Sequence, residues 1–445
     1  MSKDYWTTLT LAGLAAKGRN AIVGGPFGSN LVSSDYRDVG VPVIRGQNMG
    51  EGRWLSREFV FDSEAKAESL RANWARPGDI VFTQRGTIGQ VTVVPDAPWD
   101  RYVVSQSQMK ATIDITVADP LFVYYYFCNS AEKEYIAANA IQTGVPHTNL
   151  GQLRAHPMRI PSLTDQRAIS AVLGALDDKI EQNRKTAHAL ERLARAVFQA
   201  WFVDFEPVKA KAAGATAFPS MPQPVFDALP TSFVDSDIGP VPEGWEVKAI
   251  GDVVTAKGGG TPSTKDAEYW DGGEHRWATP KDMSRLAHPV LLNTERRITD
   301  AGVNSISSGI LPVGTVLMSS RAPVGYLAIA GVPTAINQGF IAMVCDGPLP
   351  PTYVLNWAFA SMDAIKARAS GTTFPEISKK SFRAMPAVVP TFDVIAAYRQ
   401  VADPFFDLLS AYVKESEQLA TMRDYLLPKL LSGQVSAESL LPEPE

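Results

Sequence analysis

Arg85 and Arg321 are the residues of this sequence best placed for recognition chemistry. Each follows a short β-like run, Asp79–Thr83 or Thr315–Met318, from which a guanidinium can be aimed at a ligand. If the ligand is a nucleic-acid duplex, arginine suits the O6/N7 edge of guanine, Asn or Gln suits adenine, and hydroxyls suit either. Lys, Arg, hydroxyls and backbone N–H groups hold phosphates. Residues of these types cluster in loops. In the first half they are Arg45, Gln47, Asn48, Thr83, Gln84, Arg85, Ser105, Gln106, Ser107, His147 and Thr148. In the second half they are Thr261, Ser263, Lys265, Thr279, Lys281, Ser319, Ser320, Arg321, Asn337, Gln338, Thr372 and Thr373. The alternative for any one of them is a solvated or salt-bridged surface residue.

Catalytic chemistry is poorly represented. No G-x-x-x-x-G-K-[ST] phosphate loop and no helix-opening G-x-G-x-x-G occurs. Gly258-Gly259-Gly260-Thr261-Pro262 is glycine-rich but runs into proline, and Pro350-Pro351-Thr352-Tyr353 only approaches an amino-methyltransferase tetrapeptide. The five histidines are scattered without metal-ligand spacing. Asp62-Ser63-Glu64-Ala65-Lys66 holds a nuclease-like Glu-x-Lys, or else is a polar helix start capped by Asp62 or Ser63.

The elements that would carry the loops repeat. Trp6 and Trp245 each head a short apolar-patterned segment. Arg85 and Arg321 lie 236 positions apart, as do Gly89 and Gly325. Ser105-Gln106-Ser107 answers Asn337-Gln338-Gly339 at an offset of 232, and the loops opening at Gly144 and Gly371 are 227 apart. Helical segments, 121–140 and 353–369, precede those two loops. A slowly drifting offset in conserved order is the mark of divergent tandem domains. Short β-like runs between Gly- and Ser-rich loops predict an α+β fold in each.

Each unit is followed by a long helical pattern. After Pro161-Ser162-Leu163, with Thr164 as candidate cap, Ile169, Leu173, Leu176, Ile180, Asn183, Ala187, Leu190, Ala194, Val197 and Trp201 keep a 4-3 spacing. Tyr398, Val401, Phe405, Leu408, Tyr412, Leu419, Met422 and Leu426 form a second seam, with Glu415 in its polar position and Pro404 expected to kink the helix or mark its start. Asn183 either fixes register or lies on a rotated surface. The two seams are expected to pair as an antiparallel coiled coil about 60 Å long, close to two turns of DNA at about 34–36 Å each. Phe198, Phe202 and Phe205 beside the first seam read as exposed docking residues for a partner, or as packing against the chain's own domains.

The division expected is a first recognition domain over 1–160, a helix over 161–206, an extended Pro/Ala/Ser-rich connector over 207–242, a second recognition domain over 243–390, a second helix over 391–433 and a tail over 434–445. A net charge of −5 argues against a protein that coats nucleic acid by bulk charge but leaves room for local basic surfaces. No 18-residue apolar span and no leader-like apolar stretch is found, and Cys128 and Cys345 read as buried free thiols, so a reducing, cytoplasmic setting is expected.

The stretch from Thr164 to Lys211 resembles the central conserved region of Type I restriction–modification specificity subunits, most specifically in Leu176-Asp177-Asp178-Lys179-Ile180 and Trp201-Phe202-Val203-Asp204-Phe205. Ile238–Trp245 resembles the entry to the family's second recognition domain, and Leu426–Gly433 its C-terminal signature. The resemblance implies a non-catalytic DNA-binding subunit whose two domains each read half of a split target. It also implies two methyltransferase subunits docked on the helices and two motor–nuclease restriction subunits joining for cleavage. S-adenosylmethionine, ATP and Mg²⁺ would then belong to those partners, and this chain would hold no cofactor or metal and contact no membrane. The competing classes are a stand-alone nuclease or methyltransferase, and a structural adaptor that does not bind DNA.

Overall fold

The computed structural model describes residues 6–441 apart from 51, 54, 56, 57, 143 and 372–374. The chain forms two compact units, Met1–Glu181 with Gln418–Glu445, and Gln182–Glu417. No helix among the described residues is long and apolar enough to cross a membrane.

In the first unit, one antiparallel sheet runs Ile22–Gly24, Gln108–Ala111, Ile80–Thr83, Val91–Val93. A second runs Val60–Asp62, Val41–Ile44, Tyr102–Val104, Trp74–Ala75, its middle pair parallel. Thr7–Thr10 pairs with Pro157–Ile160. Ile80–Thr83 is buried along its whole length, which explains a continuous apolar run in place of alternation. Packed on these strands is the helix Pro120–Cys128, whose residues from Phe122 to Phe127 are all buried. Asp119 caps it by accepting from the Phe122 N–H at 2.9 Å. The expected single helix over 121–140 is two, because Asn129 turns extended before Ser130–Ala138.

The second unit repeats this order. Thr255–Gly258, Phe340–Val344, Val316–Ser319 and Leu327–Ala330 form the first sheet, with Val290–Leu291 added at its edge. Arg296–Ile298, His275–Ala278 and Thr334–Ile336 form the second, again with one parallel pair. Glu246–Ala249 pairs with Pro386–Val389, and Pro351–Ala360 is the buried helix. The duplication read from scattered motifs is therefore a duplication of strand order.

The long helices are Leu163–Phe198 and Phe392–Leu431. Ser162, not Thr164, caps the first: its Oγ accepts from the Asp165 N–H at 3.2 Å and donates to the Asp165 carboxylate at 2.8 Å. Within the first unit Ile169 and Leu173 share a core with Leu427, Leu430 and Leu431. Within the second, Ala187 and Leu190 pack with Phe405, Leu409 and Tyr412. Early residues of one helix thus meet late residues of the other, and the helices run antiparallel. Asn183, 1% exposed, lies in this seam and donates through Nδ2 to Glu415 at 2.8 Å. The two polar seam residues are each other's partners.

Three details of the helices and connector differ from expectation. Leu408 and Met422 are 44% and 52% exposed, while their neighbours Leu409 and Leu427 are buried; a helix of 3.6 residues per turn drifts about 20° per heptad from a strict 4-3 pattern. Pro404 does not start the second helix, which runs unbroken through it. The connector is folded, not extended. It contains helices Glu206–Ala212 and Gln223–Ala228 and a strand pair, and buries Val208, Met221, Phe226, Leu229 and Val241 in the core of the second unit. Pro207 and Pro224 occupy the first turns of those helices, where a missing N–H is harmless.

Candidate nucleic-acid interface

The loops chosen for their residue types meet at one end of the strands in each unit, held by matching main-chain hydrogen bonds. In the first unit, Gly25 N–H donates to Gln108 O at 2.8 Å, Ser105 N–H to Ile44 O at 2.9 Å, Gln84 N–H to Ser107 O at 2.7 Å and Thr148 N–H to Gln84 O at 2.9 Å. In the second, Gly260 N–H donates to Ile336 O at 3.0 Å, Asn337 N–H to Ala278 O at 3.0 Å, Ser320 N–H to Gly339 O at 2.8 Å and Ile377 N–H to Ser320 O at 3.0 Å. Five loops are thereby stitched together in each unit, following Gly24, Ile44, Phe82, Val104 and Gly144 in one, and Gly258, Ala278, Met318, Ile336 and Gly371 in the other.

The matched arginines sit in matched turns. Arg85 is followed by Gly86 with φ 105°, Arg321 by Ala322 with φ 56°. The left-handed backbone turns the chain sharply after each. Arg85 is exposed and bridges His147 through its main chain. Arg321 makes the same bridge to Glu376, and its guanidinium also lies 3.6 Å from the Glu376 carboxylate, so this cation is held by an acid at the rim.

The remaining candidates divide by burial. Gln47, Gln106, Thr261, Ser263, Lys265, Lys281 and Gln338 are exposed, and Arg45, Gln84, Ser105, Ser107, His147, Thr148, Thr279 and Asn337 are half-buried. Asn48, Thr83, Ser319 and Ser320 are buried and do not face solvent as expected of direct readers. Asn48 Oδ1 instead accepts from the Arg45 N–H at 3.0 Å and closes its turn. Asp282 does the same for Thr279 at 2.8 Å. Ser319 Oγ donates to Pro323 O at 2.7 Å and accepts from Tyr326 N–H at 2.8 Å, pinning the arginine turn from below. Thr83 Oγ1 donates to Gln90 Oε1 at 3.3 Å. Gln106 Nε2 donates to Gly28 O and Leu31 O at 2.6 Å each, Thr261 bonds Gln338, and Lys281 pairs with Glu295 at 2.9 Å. Thr372 and Thr373 fall outside the described residues.

Phe198, Phe202 and Phe205 are corrected outright: all three are buried in the core of the second unit. Their ring centroids lie 4.9 Å from Tyr353, 5.1 Å from Tyr398 and 5.8 Å from Trp245, respectively. The long helix loosens into a π turn at Gln199–Val203, and Phe205 takes φ 53°, which brings four aromatic residues inward where a regular helix would have exposed one. The Asp62–Lys66 string is the helix start: Ser63 Oγ accepts from the Lys66 N–H at 3.2 Å, and Lys66 pairs with Asp35 at 3.1 Å. No group of three or more metal-ligating side chains occurs among the described residues. Cys128 and Cys345 are free, and burial pushes their thiols up to about 11 and about 12. Sequence reasoning missed Glu376, and it missed Phe27, an exposed aromatic in the first of the five loops; charge alone marked the first, and nothing in a polar search would find the second.

The model of the Type I restriction modification DNA specificity domain matches the chain twice, over residues 37–192 and 242–394. The MjaIX specificity subunit of Methanocaldococcus jannaschii is 37% identical over 191 residues, which take in 42% of this chain and 44% of that one. The HindI specificity subunit of Haemophilus influenzae is 25% identical over 403 residues, 81% of this chain and 87% of that one. The crystal structure of the Type I restriction–modification S subunit from M. genitalium overlays with a TM-score of 0.59 at 15% identity, covering 97% of each chain, and so shares the fold.

Proposed function

The chain belongs to the Type I restriction modification DNA specificity family, and from that premise we propose that it chooses the DNA target for a complex whose chemistry resides in other subunits. Each recognition domain, 1–160 and 243–390, reads one half of a split sequence. The helices over 161–206 and 391–433 set the spacing and dock two methyltransferase subunits, with two motor–nuclease subunits joining for cleavage. S-adenosylmethionine, ATP and Mg²⁺ are supplied to those partners, and the assembly works on double-stranded DNA in the cytoplasm.

The observation that carries this reading is the pair of matched loop clusters. Two scaffolds of one topology carry the same five loops, yet the residues at their tips differ, as two readers of different half-sites require. A helix of 36 residues is about 54 Å long, about one and a half turns of DNA, which supports a spacing role. With the three phenylalanines buried, the exposed apolar residues of the helices, Met422 and Tyr425 in the first unit and Leu193 and Leu408 in the second, are the docking candidates.

Methylome sequencing of cells carrying this chain with its partner subunits tests the proposal. A split motif with a methylated adenine in each half is expected. Arg85→Ala or Arg321→Ala should cost about 1–3 kcal/mol of binding and relax one base of one half. A continuous motif, or none, refutes the reading.

A further inference from the structure

Phe27 is 79% exposed, yet its loop is among the most firmly tied of the first unit. Asn73 Nδ2 donates to Gly24 O at 2.7 Å, Gly25 N–H to Gln108 O at 2.8 Å, and the Gln106 amide to both Gly28 O and Leu31 O. A Cβ on Gly25 would fall 1.9 Å from Ser105 O, so only glycine lets the loop lie this close. Gly28 takes φ 58° and turns the chain back, and Leu31 anchors the far side in the core. The effect is a rigid turn with an aromatic ring at its tip. Leaving such a ring in water is unfavourable, and ordering the loop around it adds entropy loss, unless a partner covers the ring.

The second unit holds the same device with a different tip. A Cβ on Gly259 would fall 2.0 Å from Ile336 O, as on Gly25. Gln338, which answers Gln106, again reaches the loop, here by a bond with Thr261. Phe27 lies three residues after the strand ending at Gly24, and Thr261 three after the strand ending at Gly258. One scaffold position therefore carries a ring in one unit and a hydroxyl with a methyl in the other, both among loops stitched to the arginine turns. Aromatic rings and the threonine methyl are the side-chain groups that pack on the C5-methyl of thymine in the major groove.

We propose that Phe27 is a specificity-determining residue that reads a thymine C5-methyl in the half-site of the first domain. The proposal rests on the DNA-reading function above. It is tested with the full chain bound to its methyltransferase subunits, on duplexes of the methylated target in which each thymine in turn is replaced by deoxyuridine, which lacks only that methyl. The wild-type complex should lose about fourfold in affinity at one thymine of one half, the worth of one buried methyl. Phe27→Ala should bind the thymine duplex more weakly and be indifferent to deoxyuridine at that position, while Phe27→Leu keeps part of the discrimination. Thermal melting of both variants at the wild-type midpoint establishes that the surface change leaves the fold intact. Phe27→Ala that retains the wild-type penalty overturns the proposal, as does a wild-type complex that is selective yet insensitive to every thymine methyl. Normal DNA binding with loss of the methyltransferase subunits would assign the ring to a protein interface instead. A wild-type complex with no sequence selectivity at all removes the DNA-reading function itself, an outcome distinct from the others.

Discussion

Replacing Tyr125 by Phe removes one oxygen from a buried junction on which the first domain and both long helices converge. The Tyr125 hydroxyl donates to Asp177 Oδ2 at 2.7 Å, and Arg423 Nη1 donates to Asp177 Oδ1 at 2.8 Å. Asp178, next along the helix, is paired with Arg53. Burial and the Asp177 charge both push the Tyr125 hydroxyl far above its ordinary range, so it stays a donor at any working pH. A hydrogen bond to a charged acceptor contributes about 1.5–3 kcal/mol, and Tyr125→Phe should destabilise the first unit by about that much. Asp177→Leu removes both bonds but leaves Arg423 with Asp424 at 2.8 Å, so its cost should be about 3 kcal/mol, the low end for breaking a buried pair. In the double variant neither partner is stranded, and the total should fall short of the sum by about 1.5 kcal/mol. Hydrogen exchange of the helix Pro120–Cys128 gives the local unfolding free energy without assuming that the two units unfold together. Additivity within about 0.5 kcal/mol would show that the hydroxyl and carboxylate are uncoupled, and the junction would lose its assigned role.

Three further outcomes are expected. Buried Asp62 receives no hydrogen bond among the described residues, and burial, helped by Asp35 and opposed by Lys66 and Arg37, pushes its carboxyl up to about 6. The unfolded chain ionises near about 4, so stability should fall as pH rises from about 4 to about 6 and then level; Asp62→Asn should match wild type at pH ~4 and exceed it at pH ~7.5 in urea midpoints. Phe202→Ala, at a site expected from sequence to be surface, should cost about 3–5 kcal/mol in unfolding of the second unit, and an unchanged midpoint would return the residue to the surface. Asn183→Ala should cost about 1.5–3 kcal/mol by stranding Glu415, whereas the Asn183→Leu, Glu415→Leu pair should melt above wild type and blur the spacer in methylome motifs, because an apolar seam is more stable and less particular about register.

The residue types of the sequence by themselves determined the duplication, the long helices and the polar position in each seam. Repeated glycines at turns, a 4-3 apolar period and a buried Asn opposite a Glu are local signals, each set by what a backbone turn or a helix face tolerates. The strands beside the arginines were legible for the same reason, as apolar runs ended by Gly or Pro. Which loop residues face outward was not legible: Asn48, Thr83, Ser319 and Ser320 have the composition of readers but spend their polar groups on closing turns or fastening neighbouring side chains. The direction of Phe198, Phe202 and Phe205 was equally hidden, since a single π turn rotates everything after it and no local residue announces one. The folding of the connector depended on an apolar surface from distant strands and helices for Val208 and Phe226 to cover. Phe27 is the converse case, an apolar residue that composition would place inside and that the tertiary hydrogen bonds of its loop hold out in water. Local propensity sets which elements form; only the packing of residues remote in sequence decides which face of each element is left for a ligand.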